Sequence, residues 1–234
     1  MRISVNWNRP STRRTARALV AGLLLAAATA VPAGAAGERP KVHLTKSGQA
    51  AARAAVVTTA DLHAPAGWTG GAVKPAVTPF PHCPGFSPKQ ADLVVNGIAE
   101  ATYRHSSGIA FNTVSLVLAT RKMVQVDWRR TVLDPRVPAC LRYRMIEDAR
   151  SSKFTFISLA RLPFPRVARF TSAYRVIYDD RTTGKKVRIF LDLVSFGRGR
   201  TEILMSTTGP LIGADGVLDA EIRLGQILVS RTPD

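Results

Sequence analysis

Glu100, Asp192 and Glu202 sit in runs of β-branched and aromatic residues that read as strands, where a paired acid and base could act on a sugar. Glycosidase chemistry needs two carboxyl groups roughly 5 to 9.5 Å apart across the scissile bond. The neighbours of these residues are basic, Arg188, Arg198 and Arg200 among them, so structural ion pairs are the simpler reading. Asp192 is the most informative of the three. In the run Val187 to Phe196 it shares a face with Arg188, Phe190, Val194 and Phe196, and so interrupts a largely apolar side. A carboxylate desolvated alone costs several kcal/mol; Arg175, on the preceding expected strand, is the natural partner. A hairpin turning at Arg198-Gly199 would set Asp192 opposite Met205 and Glu202 opposite Ser195.

Other chemistries find less support. His43, His63, His82 and His105 are isolated in expected loops and gather no metal. The serine-nucleophile patterns Gly-x-Ser-x-Gly and Ser-x-x-Lys do not occur. Gly197-Arg198-Gly199 lacks the third glycine of a phosphate-binding fingerprint and leads into a strand rather than a helix. As a basic hairpin tip, Arg198 and Arg200 can instead touch an anionic partner. Trp68, in a loop rich in Gly and Pro, reads as a packing anchor or a ligand-stacking residue. No cofactor is expected and no enzyme motif stands out.

Cys83 and Cys140 are the only thiols. An even count in an exported chain predicts a disulfide, the alternative being two buried free thiols. Closing a loop of that length is worth about 4 kcal/mol in the chain-entropy model. Export is read from the first 36 residues: Arg2, Arg9, Arg13, Arg14 and Arg17 precede the apolar run Ala18 to Ala30, which meets the small-residue sequence Ala33-Gly34-Ala35. Thirteen apolar residues fall short of the roughly 20 needed to cross a bilayer. Residues 1–36 are therefore expected to be a cleaved signal peptide, and 37–234 a single secreted domain.

The whole chain carries +17, and removing the leader leaves +12. Charge spread this evenly keeps a monomer soluble, and it also attracts anionic wall polymers, lipid headgroups or acidic glycans. No basic stretch interleaved with aromatics points to nucleic acid.

The elements that would position these residues follow from periodicity. Thr45 caps a short alanine-rich helix expected to end near Val57, and a Pro/Gly-rich segment then wraps the domain with no assigned strand. Leu93–Tyr103 and Phe111–Ala119 read as an antiparallel pair. Thr120 caps a helix carrying Val124 and Trp128, and Pro138 opens a second one holding Cys140, Leu141, Met145 and Ala149. Four strands follow as a meander: Phe154–Leu159, Val167–Tyr178, Val187–Phe196 and Thr201–Thr208. A last helix, capped by Asp215, carries a stripe of Leu218, Ile222, Gly225 and Val229, broadened by Leu224 and Leu228. The sum is an α+β domain, an antiparallel sheet of about six strands with helices packed on it and an apolar cleft between them.

Ala60-Asp61-Leu62 to Gly67-Trp68, Cys83-Pro84-Gly85, Asp127-Trp128-Arg129-Arg130 with Ala139-Cys140-Leu141, Pro163-Phe164-Pro165-Arg166, and Gly197 to Glu202 together resemble secreted, uncharacterised proteins of high-GC Gram-positive bacteria. Their pattern looks like the PsbP-like fold and the extracellular sensor domains of mycobacterial kinases. The resemblance implies a secreted, non-catalytic domain binding a small apolar ligand or an envelope component, and it carries over no catalytic residues. The rivals are an envelope hydrolase using Asp192, Glu202 or Glu100, and a basic adhesion protein on anionic wall polymer.

Overall fold

The computed structural model describes residues 39–62, 66–150, 152–182 and 184–233; the expected leader, 1–36, lies outside the described residues. Six long strands form an antiparallel sheet in the spatial order β3 (Val94–His105), β4 (Ala110–Leu118), β8 (Thr201–Pro210), β7 (Val187–Arg198), β6 (Phe170–Asp180) and β5 (Phe154–Arg161). Two short strands widen it to eight. β1 (Lys41–Val42) runs parallel to the start of β3, and β2 (Trp68–Val73) pairs antiparallel with its end. The hairpin β3–β4 and the meander β5–β6–β7–β8 were the expected units, and they join through the β4–β8 pairing.

Strand alternation gives the sheet two buried faces. On one, Phe190, Val194, Phe196, Ile203 and Met205 pack beneath α1 (Lys46–Ala54) and α4 (Ala214–Ser230). On the other, α2 (Arg121–Thr131) brings Val124 and Trp128 against Ile98 and Leu118, while α3 (Val137–Arg150) brings Met145 and Ala149 against Phe154, Val176, Tyr178 and Ile189. Helices on both sides of an antiparallel sheet leave no face that must stay polar, so these strands read as long apolar runs. The Cys83–Cys140 disulfide, with Cα atoms 5.4 Å apart, ties the proline-rich segment to the first turn of α3 beside Phe80, Phe86 and Val137.

Local chemistry explains the helix starts. Thr45 Oγ1 accepts from Gly48 N at 3.0 Å, and Thr120 Oγ1 accepts from Met123 N at 3.2 Å, each satisfying an amide that the first turn leaves open. α1 lies hard against β3: a Cβ on Gly97 would sit 2.0 Å from the Gly48 carbonyl oxygen, and one on Gly48 2.3 Å from that of Asn96. Only glycine at both positions permits that approach.

Four expectations are corrected. α1 stops at Ala54, three residues before Val57, because Val57 N leaves the helix to bond Thr113 Oγ1 at 3.1 Å on β4. The Gly-rich segment does hold a strand, β2, formed by pairing with the edge of β3 rather than by its own propensity. The β7–β8 hairpin turns at Gly199-Arg200, one position later than expected, because Gly199 takes the positive φ (55°) that opens the turn. Asp192 therefore faces Thr207, and Glu202 faces Gly197. The N-cap of α4 is Gly213 with φ 91°, and Asp215 lies in the first turn instead.

Candidate functional site: an arginine-lined hollow and three buried acid clusters

The β5–β6 connection and the β7–β8 hairpin meet at one end of the sheet. Pro163 and Pro165 stiffen the connection by fixing their backbone φ. Phe164 anchors it against Phe196, with ring centroids 5.8 Å apart. Leu162, Val167 and Ala168 turn into the core, and Thr171 Oγ1 accepts from Ala168 N at 3.2 Å. What stays outside is basic. Arg166 donates to the Arg169 carbonyl at 3.0 Å, and the Arg169 guanidinium lies 5.5 Å from the Phe170 ring centre, which itself stacks on Trp128.

Arg198, at the end of β7, reaches across to the last turn of α4 and donates to the Val229 carbonyl at 3.4 Å, where a cation complements the helix dipole. Arg166, Val167, Ala168, Arg169 and Arg198 line a hollow of about 310 Å³. Arg166 and Arg169 are exposed and make no ion pair with the described residues. A hollow of this size is at the small end for ligand sites and suits one phosphate-, sulfate- or carboxylate-bearing unit, which a guanidinium grips with two parallel hydrogen bonds. Arg200 stands beside it, its carbonyl accepting from Leu118 N at 2.8 Å, and that contact draws in the start of α2 with exposed Arg121 and Lys122.

Trp68 is elsewhere. It sits at the far end of the sheet, packed on His105 and Phe111 with centroids 5.0 and 5.3 Å away. The register places it level with Phe190 on β7, eight residues or about 27 Å from Arg198 along the strands. The structure thus places Arg198 in the hollow, Arg200 in the adjoining turn outside its lining, and Trp68 apart from both. The hollow is basic and lies at the turns, a different place from the apolar cleft expected between the sheet and its helices.

The three carboxylates with catalytic potential do not converge. Asp192 points to the α4 side of the sheet, whereas Glu100 and Glu202 point to the α2 side. Glu100 and Glu202 are separated by β4 and offset by two residues, about 12 Å between Cα positions by strand spacing and rise. Each is engaged. Glu100 accepts from Asn112 Nδ2 at 2.8 Å, and burial raises its pKa against that bond. The Glu202 carboxyl lies beneath α2 against Asp127, and burial followed by the Asp127 charge pushes it well above the usual range. Asp127 in turn accepts from Gln90 Nε2 at 3.1 Å and is raised by burial.

Asp192 is fully buried and takes two hydrogen bonds of 2.7 Å from the Arg175 Nε and Nη2. A third member, Glu221 of α4, is also fully shielded and reaches Asp192 and Thr207, although neither of its oxygens closes a well-aligned bond. Burial, then the Asp192 charge, pushes Glu221 up to about 8, and burial likewise raises Asp192 against its bonds to Arg175. One guanidinium balances one carboxylate, so the second carboxyl is held as the neutral acid. Sequence reasoning missed Glu221. Its signal was a lone carboxyl at the centre of the Val217, Leu224, Leu228 face.

No protein-family model and no curated protein matches the chain. Among solved structures, it is similar to an uncharacterised protein of Mycobacterium smegmatis, the Rv0999 orthologue, at a TM-score of 0.33 and 13% identity over 60% of this chain. That match covers 66% of the other chain, slightly under two thirds of its length. LpqN of Mycobacterium tuberculosis, described as involved in cell envelope biogenesis, superposes at a TM-score of 0.29 and 10% identity over 69% of this chain and 76% of that one. Both neighbours are mycobacterial. Likenesses this loose place no residue of the site.

Proposed function

We propose that the mature chain is a secreted, monomeric, non-catalytic binding domain of the bacterial cell envelope, and that its arginine-lined hollow holds an anionic group of an envelope component. The observation that carries this reading is the convergence of Arg166, Arg169 and Arg198 on one hollow floored by Val167 and Ala168. Two facts support the setting: the Cys83–Cys140 disulfide, which belongs to oxidising compartments, and the net +12 of residues 37–234. Diffuse adhesion to anionic polymer is the second reading, favoured by the net +12 and by exposed cations outside the hollow such as Arg121 and Lys122.

Calorimetric titration with a phosphodiester-linked wall polymer separates the two. The double variant Arg166→Gln/Arg169→Gln should lower affinity at least tenfold, and Arg121→Gln/Lys122→Gln, which removes the same charge outside the hollow, should lower it far less. Equal losses, with a salt dependence set only by charge count, would assign the binding to diffuse attraction.

A further inference from the structure

We infer that the opposite end of the sheet carries a second surface, an apolar knob in a basic collar, which docks on an anionic lipid bilayer. The knob is Ile212, 96% exposed in the β8–α4 turn. Its backbone is held: Leu211 N donates to the Arg188 carbonyl at 3.0 Å, Ala214 N to the Leu211 carbonyl at 3.2 Å, and Gly213 turns the chain with φ 91°. The β-branched side chain is therefore presented outward by a fixed turn and cannot fold back onto the core. Extending the β7–β8 register puts Ile212 level with Val187, itself 40% exposed.

The collar comes from the β6–β7 hairpin and the start of β5. Lys153, Arg181 and Lys185 are exposed and make no ion pair with the described residues, and Arg181 N donates to the Lys153 carbonyl at 3.1 Å, which holds two of them side by side. Lys186 and Arg188 are bonded to Asp179 at 2.8 and 3.1 Å, and Asp215 lies in the first turn of α4 just beyond Ile212; positive charge still exceeds negative across the patch. A single exposed isoleucine is ordinary on a protein surface. One that is almost fully exposed, held by a fixed turn and flanked on the β6–β7 side by cations without an ion pair among the described residues matches the interfacial pattern of an apolar group entering the headgroup boundary while cations meet anionic lipid. The length of β7 places this patch about 35 Å from the arginine hollow, so a molecule resting on lipid through Ile212 presents the hollow away from the membrane.

The test is co-sedimentation of the exported chain, disulfide intact, with vesicles of phosphatidylglycerol and phosphatidylcholine. Ile212→Asn leaves net charge unchanged and should lower the partition coefficient about tenfold, the expected worth of one buried isoleucine. Lys153→Gln/Lys185→Gln should weaken binding at low salt, and Arg166→Gln/Arg169→Gln should leave the Ile212 effect intact, which keeps this surface separable from the hollow. Ile212→Trp should show a blue-shifted emission on the vesicles. Equal partition of the parent and Ile212→Asn would mean adhesion by charge alone and would overturn the inference. So would an unshifted tryptophan, or an Ile212-dependent dimer in solution.

Discussion

Glu221→Gln tests the buried acid cluster by its pH dependence. Glu221 and Asp192 are both wholly shielded between α4 and the sheet, with only Arg175 to balance them. Below about pH 4.5 Glu221 is protonated whether the chain is folded or not, and it contributes no pH dependence. Between there and about 8, its raised value in the fold, the unfolded chain has released the proton and the folded chain has kept it, so stability falls as pH rises. The slope reaches about 1.4 kcal/mol per pH unit, and the full interval is worth up to about 5 kcal/mol. Water entering the helix–sheet interface reduces this, so we expect at least about 2 kcal/mol. Above about 8 the loss is complete. Glutamine keeps the shape without the proton equilibrium. Urea midpoints from pH 5 to 9, disulfide intact, should show the parent losing ground to Glu221→Gln as pH rises, with the variant the more stable above pH 8. Glu202, on the other face of the sheet, titrates in both proteins and cancels in the difference, whereas Asp192 interacts with Glu221 and its response is part of the difference. Parallel pH profiles would refute the assignment of a neutral Glu221.

Cys83→Ala/Cys140→Ala should cost about 4 kcal/mol by the loop-entropy argument, read as a lowered urea midpoint with a steeper slope, because the unfolded chain is no longer held compact by the cross-link. Gly97→Ala should destabilise by about 2 to 3 kcal/mol, because its Cβ would meet the Gly48 carbonyl at 2.0 Å and lift α1 from β3; Gly216→Ala, in the open first turns of α4, should instead stabilise by about 0.5 to 1 kcal/mol. Thermal melts of the two variants check both signs.

The sheet was legible because its strands are long and its turns are marked. Alternation located β3 and β4, and the residues around Pro163, Gly184 and Gly199 separated the four strands of the meander. β2 was not legible, since Trp-Thr-Gly-Gly-Ala-Val has little strand propensity of its own and is extended only because β3 offers an unpaired edge. The β7–β8 register moved because two glycines bracket Arg198, and either could open the turn. Glu221 was hidden by its neighbours: Leu218, Ile222 and Leu224 define a stripe wide enough to be read without it. The hollow joins residues 166–169 to Arg198, some thirty positions away, through two loops that meet only after the sheet has formed. None of its members belongs to a motif.

Where the charges lie bears on the proposed function more directly than their number. Asp61, Glu100, Asp127, Asp179, Asp180, Asp192 and Glu221 are buried, whereas no lysine or arginine is buried among the described residues. Asp61 is consumed by Arg231 and Thr58, Asp192 by Arg175, Asp179 by Lys186 and Arg188. Burial raises Glu202 and pushes Glu221 up to about 8, so near neutral pH Glu221 carries less than its formal negative charge. The solvent therefore meets a more positive molecule than the formal +12 of residues 37–234 describes. Cations at the surface over acids in the interior favour attraction to anionic partners at every approach. Selectivity must then come from shape, and the arginine hollow and the Ile212 turn are two places where exposed charge is joined to a fixed contour.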